Sequence, residues 1–246
     1  MLSKAADILR HAKFLVCLLG AGASVPSGIP DFRSSTGLYS QNVAAEEILS
    51  ASYFSLYPEK FYAFYKKSML YPQARPNAIH YTLAKWEAKG RLRACLTQNI
   101  DGLELLAGLK TVLQLHGTVT RNHCLKCNGL YDLNYVIEKG TPVPLCTKCG
   151  GIIKPDVVLY EEPLDQKLLQ LARNFTLKAD VLLVIGTSLR VYPVAGLLNY
   201  FNPSLQKLII LNKDETPFDR EADVVLHLPA EQILPEIDRL VEEQEI

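Results

Sequence analysis

A chain of 246 residues, 48% hydrophobic and 21% charged, has the composition of a packed protein of one large domain, or one domain with a small companion, and excludes wholesale disorder. Lysine plus arginine (26) equals aspartate plus glutamate (26), and zero formal charge argues against a general nucleic-acid binder, which carries a basic surplus or stripe. No apolar run approaches the roughly 18 residues of a membrane span, so a soluble, cytoplasmic protein is expected. The predicted elements begin with a helical pattern in "KAADILRHAK". Together with the apolar stretch that follows and Ala21-Gly22-Ala23, this segment mimics a secretory signal and its cleavage site. Asp7 interrupts the pattern, and cleavage would cut off a motif that continues as "PSGIPDFR", so the segment is read as part of the fold.

The run 14–19 predicts a buried strand, and Gly20-Ala21-Gly22 behind it opens a dinucleotide-binding turn, where small residues let backbone N–H groups approach a pyrophosphate. Val25 stands where the third glycine of G-x-G-x-x-G belongs, and Pro26 follows it. The stretch through Arg33 therefore reads as a loop over a nucleotide, with Arg33 to pair with phosphate and Phe32 to shield a reactive carbon from water. Residues 40–70 are aromatic and helical in pattern, an excursion whose ordinary use is core. A helix over 77–89 and a strand over 92–97 resume the alternation, and that strand ends in Gln98-Asn99-Ile100-Asp101. The next strand, 112–115, ends in His116-Gly117. An amide, a carboxylate and an imidazole at neighbouring strand ends make a polar site. His116 suits a general base because its reference pKa of about 6.5 lies close to working pH.

A second excursion, 120–155, carries Cys124-Leu-Lys-Cys127 and, eighteen residues on, Cys146-Thr-Lys-Cys149. This C-x₂-C…C-x₂-C spacing predicts four thiolates around one zinc ion, with Gly150-Gly151 allowing the turn behind the second pair. Four protein ligands leave no open position, so the metal is expected to be structural. Cys17 and Cys95 lie in apolar runs and read as small core residues. Strands over 157–160, 181–185, 207–211 and 224–228 follow, with helical patterns over 166–171 and beyond, 193–200 and 230–242. The strands lack strict alternation, as in a parallel sheet covered on both faces, and the alternation of strand with helix implies an open α/β fold. Two late strands end in Gly186-Thr187-Ser188 and in Asn212, small or polar groups where such sheets bind ligands. No acidic residue ends a second strand near residue 40 to hold a ribose, which weakens a hydride-transfer reading.

Taken together, "GAGASVPSGIPDFRS", "TQNID", "LHG", the cysteine pairs, "KPDVVLYEE", "GTSLRVYP" and "LNKDETP", in this order between about residues 10 and 228, resemble the sirtuin family of NAD-dependent protein lysine deacylases. The resemblance implies a Rossmann-like parallel sheet formed by 1–34, 72–119 and 156–246. It also implies a small domain made of a helical insert, 35–71, and a zinc-binding module, 120–155. NAD and an acylated lysine of a protein would meet between them, with no specific nucleic acid or membrane partner; oligomeric state is left open. By motif, Gly20, Ala21, Gly22, Ser24 and Val25 fall to the pyrophosphate, and Phe32 and Arg33 to the mobile cofactor loop. Gln98 falls to the ribose, Asn99 to the ribose and a water, and Ile100 and Asp101 to the nicotinamide amide. Gly186, Thr187, Ser188, Asn212 and Lys213 fall to the adenosine side, with Asp223 near the adenine. Val158, Leu159 and Tyr160 would bind the peptide and its acyl-lysine, although 157–160 alone reads as core strand. The implied chemistry is attack of the acyl oxygen on C1′ of NAD, then deprotonation of a ribose hydroxyl by His116, giving lysine and 2′-O-acyl-ADP-ribose.

Three departures from the family pattern stand out. Tyr160-Glu161-Glu162 replaces a triplet in which many members have glycine before the glutamate, and Glu104 stands where many bacterial members have histidine, though glutamate also occurs in the family. Tyr62 and Tyr65 occupy the positions where succinyl-preferring members carry Tyr-x-x-Arg, so acidic acyl groups lack a guanidinium partner here. The competing readings are an NAD-dependent oxidoreductase with a structural zinc, a protein mono-ADP-ribosyltransferase, and a zinc-ribbon nucleic-acid-binding protein.

Overall fold

The computed structural model describes residues 1–32, 34, 37–41, 44–139 and 142–243. Helix α1 (Leu2–His11) leads into β1 (Leu15–Leu19), two single-turn 3-10 helices (Ala21–Ala23 and Val25–Ser27) and four helices, α2 (Leu38–Gln41), α3 (Ala45–Ile48), α4 (Ala51–Leu56) and α5 (Pro58–Ser68). Then come α6 (Ala78–Ala88), β2 (Leu92–Thr97), α7 (Leu103–Leu106), β3 (Val112–Gln114), β4 (Gly117–Cys124), β5 (Leu130–Asp132), α8 (Leu133–Lys139) and β6 (Ile153–Val157). The chain continues with α9 (Gln166–Lys178), β7 (Val181–Ile185), a 3-10 helix (Val194–Tyr200), β8 (Lys207–Leu211), β9 (Val224–Leu226) and α10 (Ala230–Glu242).

Six strands form one sheet in the order β3-β2-β1-β7-β8-β9, every neighbouring pair parallel. Every residue of β1 and of β7 is buried, which is why these strands read as unbroken apolar runs. Successive side chains divide between the two faces. Leu15, Cys17 and Leu19 pack with Trp86, Leu234 and Ile237 from α6 and α10, whereas Val16 and Leu18 pack with Ala172, Leu197 and Leu198 from α9 and the late 3-10 helix. Cys17 and Cys95 are core residues, as expected. Strand order reverses between β1 and β7, and at such a switch point an open α/β sheet forms a crevice at its carboxyl edge.

Helix α6 fastens the crevice from behind. The Asn77 side chain caps it by accepting from the Ile79 N–H (2.9 Å), and His80 Nδ1 accepts from the Asn77 N–H (3.2 Å). The same Asn77 amide donates to Ala23 O (2.8 Å) and Ser27 Oγ (2.9 Å), tying the loop after β1 to the helix start.

Three further strands make a separate antiparallel sheet, β5-β4-β6. Its core is shared with the aromatic helices: Phe54, Phe61, Tyr62 and Tyr65 pack with Val119, Val136 and Ile153. Here the structure differs from the sequence reading. The strand expected over 157–160 is β6, which ends at Val157 and belongs to this smaller sheet, not the parallel one. Its alternation, with Ile153, Pro155 and Val157 buried, is that of a strand with one face on a core. The pattern over 193–200 is a 3-10 helix starting at Val194. Among the described residues no helix is long and apolar enough to cross a membrane.

Candidate active site

At the switch point the ends of β1 and β7 touch backbone to backbone. Gly20 N–H donates to Ile185 O (2.9 Å) and Gly22 N–H to Gly186 O (2.8 Å). A Cβ on Gly20 would lie 2.5 Å from the Thr187 Cβ, one on Gly22 2.9 Å from the Gly186 Cα, and one on Gly186 2.4 Å from the Ala23 N. The spacing of these glycines suggested N–H groups bared for a phosphate. The structure gives them a prior task, the approach of two strand ends, and it occupies the Gly22 N–H. Gly186 also sits at φ +63°, so Gly186→Ala combines a clash with a strained backbone. It should destabilise the fold by about 1–3 kcal/mol in urea unfolding; a loss under about 0.5 kcal/mol would show that the junction can relax.

Gln98 to Asp101 leave β2 beside this junction. Gln98 Nε2 donates to Thr187 Oγ1 (3.1 Å), joining two loops expected to hold the two ends of one dinucleotide. Asn99 Nδ2 donates to Gly20 O (3.1 Å) and Ser24 Oγ (3.2 Å), and Ser24 Oγ donates to Asp101 Oδ2 (2.7 Å). The Leu103 N–H caps the other Asp101 oxygen at 2.9 Å. Desolvation pushes the Asp101 carboxyl above its usual range, against the pull of these two hydrogen bonds.

His116 Nδ1 lies 3.1 Å from Gln98 O. A carbonyl can only accept, so Nδ1 carries the proton and Nε2 keeps its lone pair. Burial lowers the pKa of the ring, against a smaller pull from that carbonyl, and so holds it neutral near pH 7. The backbone of His116 is fixed as well: its carbonyl accepts from the Val158 N–H at 2.9 Å.

These groups face a cleft of about 910 Å³. Among the described residues, all those expected to bind cofactor or substrate line it except two. Gly20 lies beneath, in the junction. Asp223 is elsewhere: it precedes β9 at the amino edge of the sheet, where its carboxylate pairs with Lys207 Nζ (2.9 Å) and accepts from the Leu208 N–H (3.0 Å). Ligands of parallel sheets bind at the opposite edge, so the adenine role expected for Asp223 is withdrawn. Arg33 lies outside the described residues.

The comparisons with known proteins agree with this geometry. The model of the Sir2 family matches residues 20–193. A protein of Clostridium perfringens named NAD-dependent protein deacetylase is 48% identical over 92% of this chain and 93% of its own. One of Saccharolobus solfataricus with the same name is 43% identical over 95% and 94%. The chain belongs to the Sir2 family. Among solved structures, a Sir2 complex with a deacetylated p53 peptide and 3′-O-acetyl ADP ribose superposes with a TM-score of 0.90 at 38% identity, covering 100% of this chain and 99% of that one. A Sir2 structure bound to a propionylated peptide gives 0.86 at 39% identity, with the same coverage.

The four zinc-type cysteines of this Sir2 chain come together as the spacing predicts. Their sulfurs lie within 4.8 Å of one another, with Cys124–Cys149 at 3.5 Å and Cys127–Cys146 at 3.6 Å. A tetrahedral zinc with bonds of about 2.3 Å sets its sulfurs about 3.8 Å apart, so the cluster fits that ion. The four thiols do not share one environment. The Tyr131 hydroxyl donates to Cys146 Sγ (3.0 Å) and helps hold that thiol down at about 6. Although the Gly151 N–H favours the Cys149 thiolate, desolvation and the three neighbouring sulfurs push that thiol up to about 12, a repulsion that a cation removes. A Cβ on Gly151 would press to 2.9 Å from Cys124 Sγ, so glycine is needed to close the knuckle.

Val158, Leu159 and Tyr160, the residues expected to bind the peptide, leave β6 as a cleft-lining strip. Tyr160 pairs through its N–H and C=O with Leu49 and Ala51 (both 3.0 Å). Glu161 takes up φ +74°, the left-handed conformation that glycine ordinarily supplies, and its carboxylate accepts from the Ser52 N–H and hydroxyl (both 2.9 Å) at the start of α4. The expected pair Tyr62 and Tyr65 divides. The Tyr62 hydroxyl donates to Ile153 O inside the small sheet, while Tyr65 is buried and lines the cleft. Sequence reasoning missed the Ser24–Asp101 bond and the Glu161–Ser52 clasp, which join residues 77 and 109 positions apart.

Proposed function

We propose that this Sir2 chain is an NAD-dependent protein lysine deacetylase that yields free lysine, nicotinamide and 2′-O-acetyl-ADP-ribose. The observation that carries this reading is the His116 Nδ1–Gln98 O contact of 3.1 Å, which leaves Nε2 as the unprotonated nitrogen, in a cleft lined by the loops after β1 and β7 and by Val158 and Leu159. Bound NAD supplies a glycosidic carbon open to displacement. The residues of the chain do the rest. Asp101, braced by Ser24 and Leu103, would accept the carboxamide N–H groups of nicotinamide, and Ile100 would keep water from the sugar. Asn99 would order the ribose, and His116 Nε2 would take the ribose hydroxyl proton that frees an oxygen to attack the acyl carbon. Val158 and Leu159 would guide the acyl-lysine, its peptide held by main-chain hydrogen bonds. We also place the chain in the cytoplasm, because four thiols arranged for a metal suit a reducing compartment.

The test is incubation with acetylated peptide, with and without NAD, read by mass spectrometry. Deacetylated peptide, nicotinamide and O-acetyl-ADP-ribose should form in equal amounts. Net reduction of NAD would indicate hydride transfer, and ADP-ribose joined to protein would indicate ADP-ribosyl transfer. A succinylated peptide should react with at least about tenfold lower kcat/KM than its acetylated twin, because Tyr65 offers a hydroxyl and no guanidinium. Equal values would overturn that preference.

A further inference from the structure

Behind the floor of the cleft, Glu104 on α7 is fully buried. Its Oε1 accepts from the Thr97 hydroxyl at 2.5 Å, and its Oε2 is buried with no hydrogen-bond partner among the described residues. Thr97, also fully buried, ends β2, and its Oγ1 accepts from the Asn99 N–H at 3.0 Å. From there the Asn99 side chain reaches Gly20 O and Ser24 Oγ, and Ser24 reaches Asp101. A continuous line of hydrogen bonds thus runs from a carboxyl that lies outside the cleft lining to residues that face the cleft.

Stability does not account for this carboxyl. Enclosing it with one oxygen unpaired is costly, and an apolar side chain of similar length would occupy the space without that cost. Desolvation, with the nearby Asp101 charge, pushes Glu104 up to about 7, as expected of a group in unfavourable surroundings. Groups retained against stability concentrate where function needs them.

We infer that Glu104 is a positioning residue for the deacylation: through the Thr97 hydroxyl it fixes the Asn99 backbone, and with it the Asn99–Ser24–Asp101 line. The inference rests on the deacetylase reading. Thr97 cannot donate to Asn99, whose N–H is itself a donor, so its hydroxyl proton needs an acceptor, and Glu104 supplies it.

The test compares Glu104→Met, Glu104→Gln, Thr97→Val and the double variant Thr97→Val/Glu104→Met, measuring kcat, the KM for acetylated peptide, and Tm. Glu104→Met should lower kcat about tenfold or more, change that KM less than about twofold, and leave Tm unchanged or higher. Glu104→Gln keeps an acceptor for the Thr97 hydroxyl and should return kcat to within about threefold of wild type. The double variant should be no worse than the poorer single one, since a line already broken cannot be broken again. The inference fails if Glu104→Met keeps kcat within twofold, if Glu104→Gln falls as far as Glu104→Met, or if the two losses multiply. Should Glu104→Met not fold, an unchanged kcat in Thr97→Val alone would refute the relay. A wild-type protein that makes no deacetylated peptide would instead sink the deacetylase reading, before any variant is compared.

Discussion

Replacing His116 with alanine should lower kcat for deacetylation by about 10²–10⁴, the span a positioned general base contributes, with little change in Tm. The size follows from how the ring is held. Nδ1 donates to Gln98 O, Nε2 keeps its lone pair, and burial keeps the ring neutral. No second imidazole lines the cleft among the described residues to replace it. The pH dependence has a definite sign. A general base at His116 would work unprotonated, and burial lowers its pKa, so activity should fall as pH drops through a midpoint below the ordinary imidazole value of about 6.5. Kinetics from pH 5 to 9 would check this; an acid limb centred above about 7 would assign the base elsewhere. If the variant releases nicotinamide without deacetylating the peptide, its defect lies after the glycosidic bond has broken.

The parallel sheet was legible because strands buried on both faces, such as 181–185, must be apolar at every position, and 92–97 nearly so. The small sheet was not. Strand β4 reads "GTVTRNHC", and only Thr118, Val119, Asn122 and Cys124 of its eight residues are buried, so its pattern does not stand out from a loop. The glycine-rich turn announced a close approach, but not that the approaching backbone is Gly186, 166 residues from Gly20 in the chain. Asp223 shows the limit of transferring roles by motif. It lies just before its strand, and polarity along a parallel strand decides which end meets the ligand. The Glu104–Thr97 contact also escaped the sequence reading, because an acidic residue on a four-residue helix looks like solvated surface.

Loss of the metal should disable the enzyme from a distance. Strand β4 begins immediately after His116, and Gly117 there has φ +80° and lies so close to β6 that a Cβ would meet Asp156 O at 1.9 Å. Strand β6 ends one residue before Val158, whose N–H holds the His116 carbonyl. Both strands that flank His116 therefore run back to the cysteine cluster: β4 ends in Cys124, and Cys146 and Cys149 lie just before β6. Structural zinc contributes roughly 10–16 kcal/mol to the folding of small zinc-finger peptides, and here its four ligands tie the end of β4 to the segment that leads into β6. We expect one zinc per chain by elemental analysis. After a strong chelator, or in Cys149→Ser, amide protection should collapse across 117–157 while β1, β7 and β8 stay protected, because their core is closed on both faces without the metal. Deacetylase kcat should fall by more than about 10², since His116 loses its backbone anchor, and zinc should restore the chelated protein but not the variant. Full activity in a chain stripped of metal would mean that His116 is held by Gln98 alone.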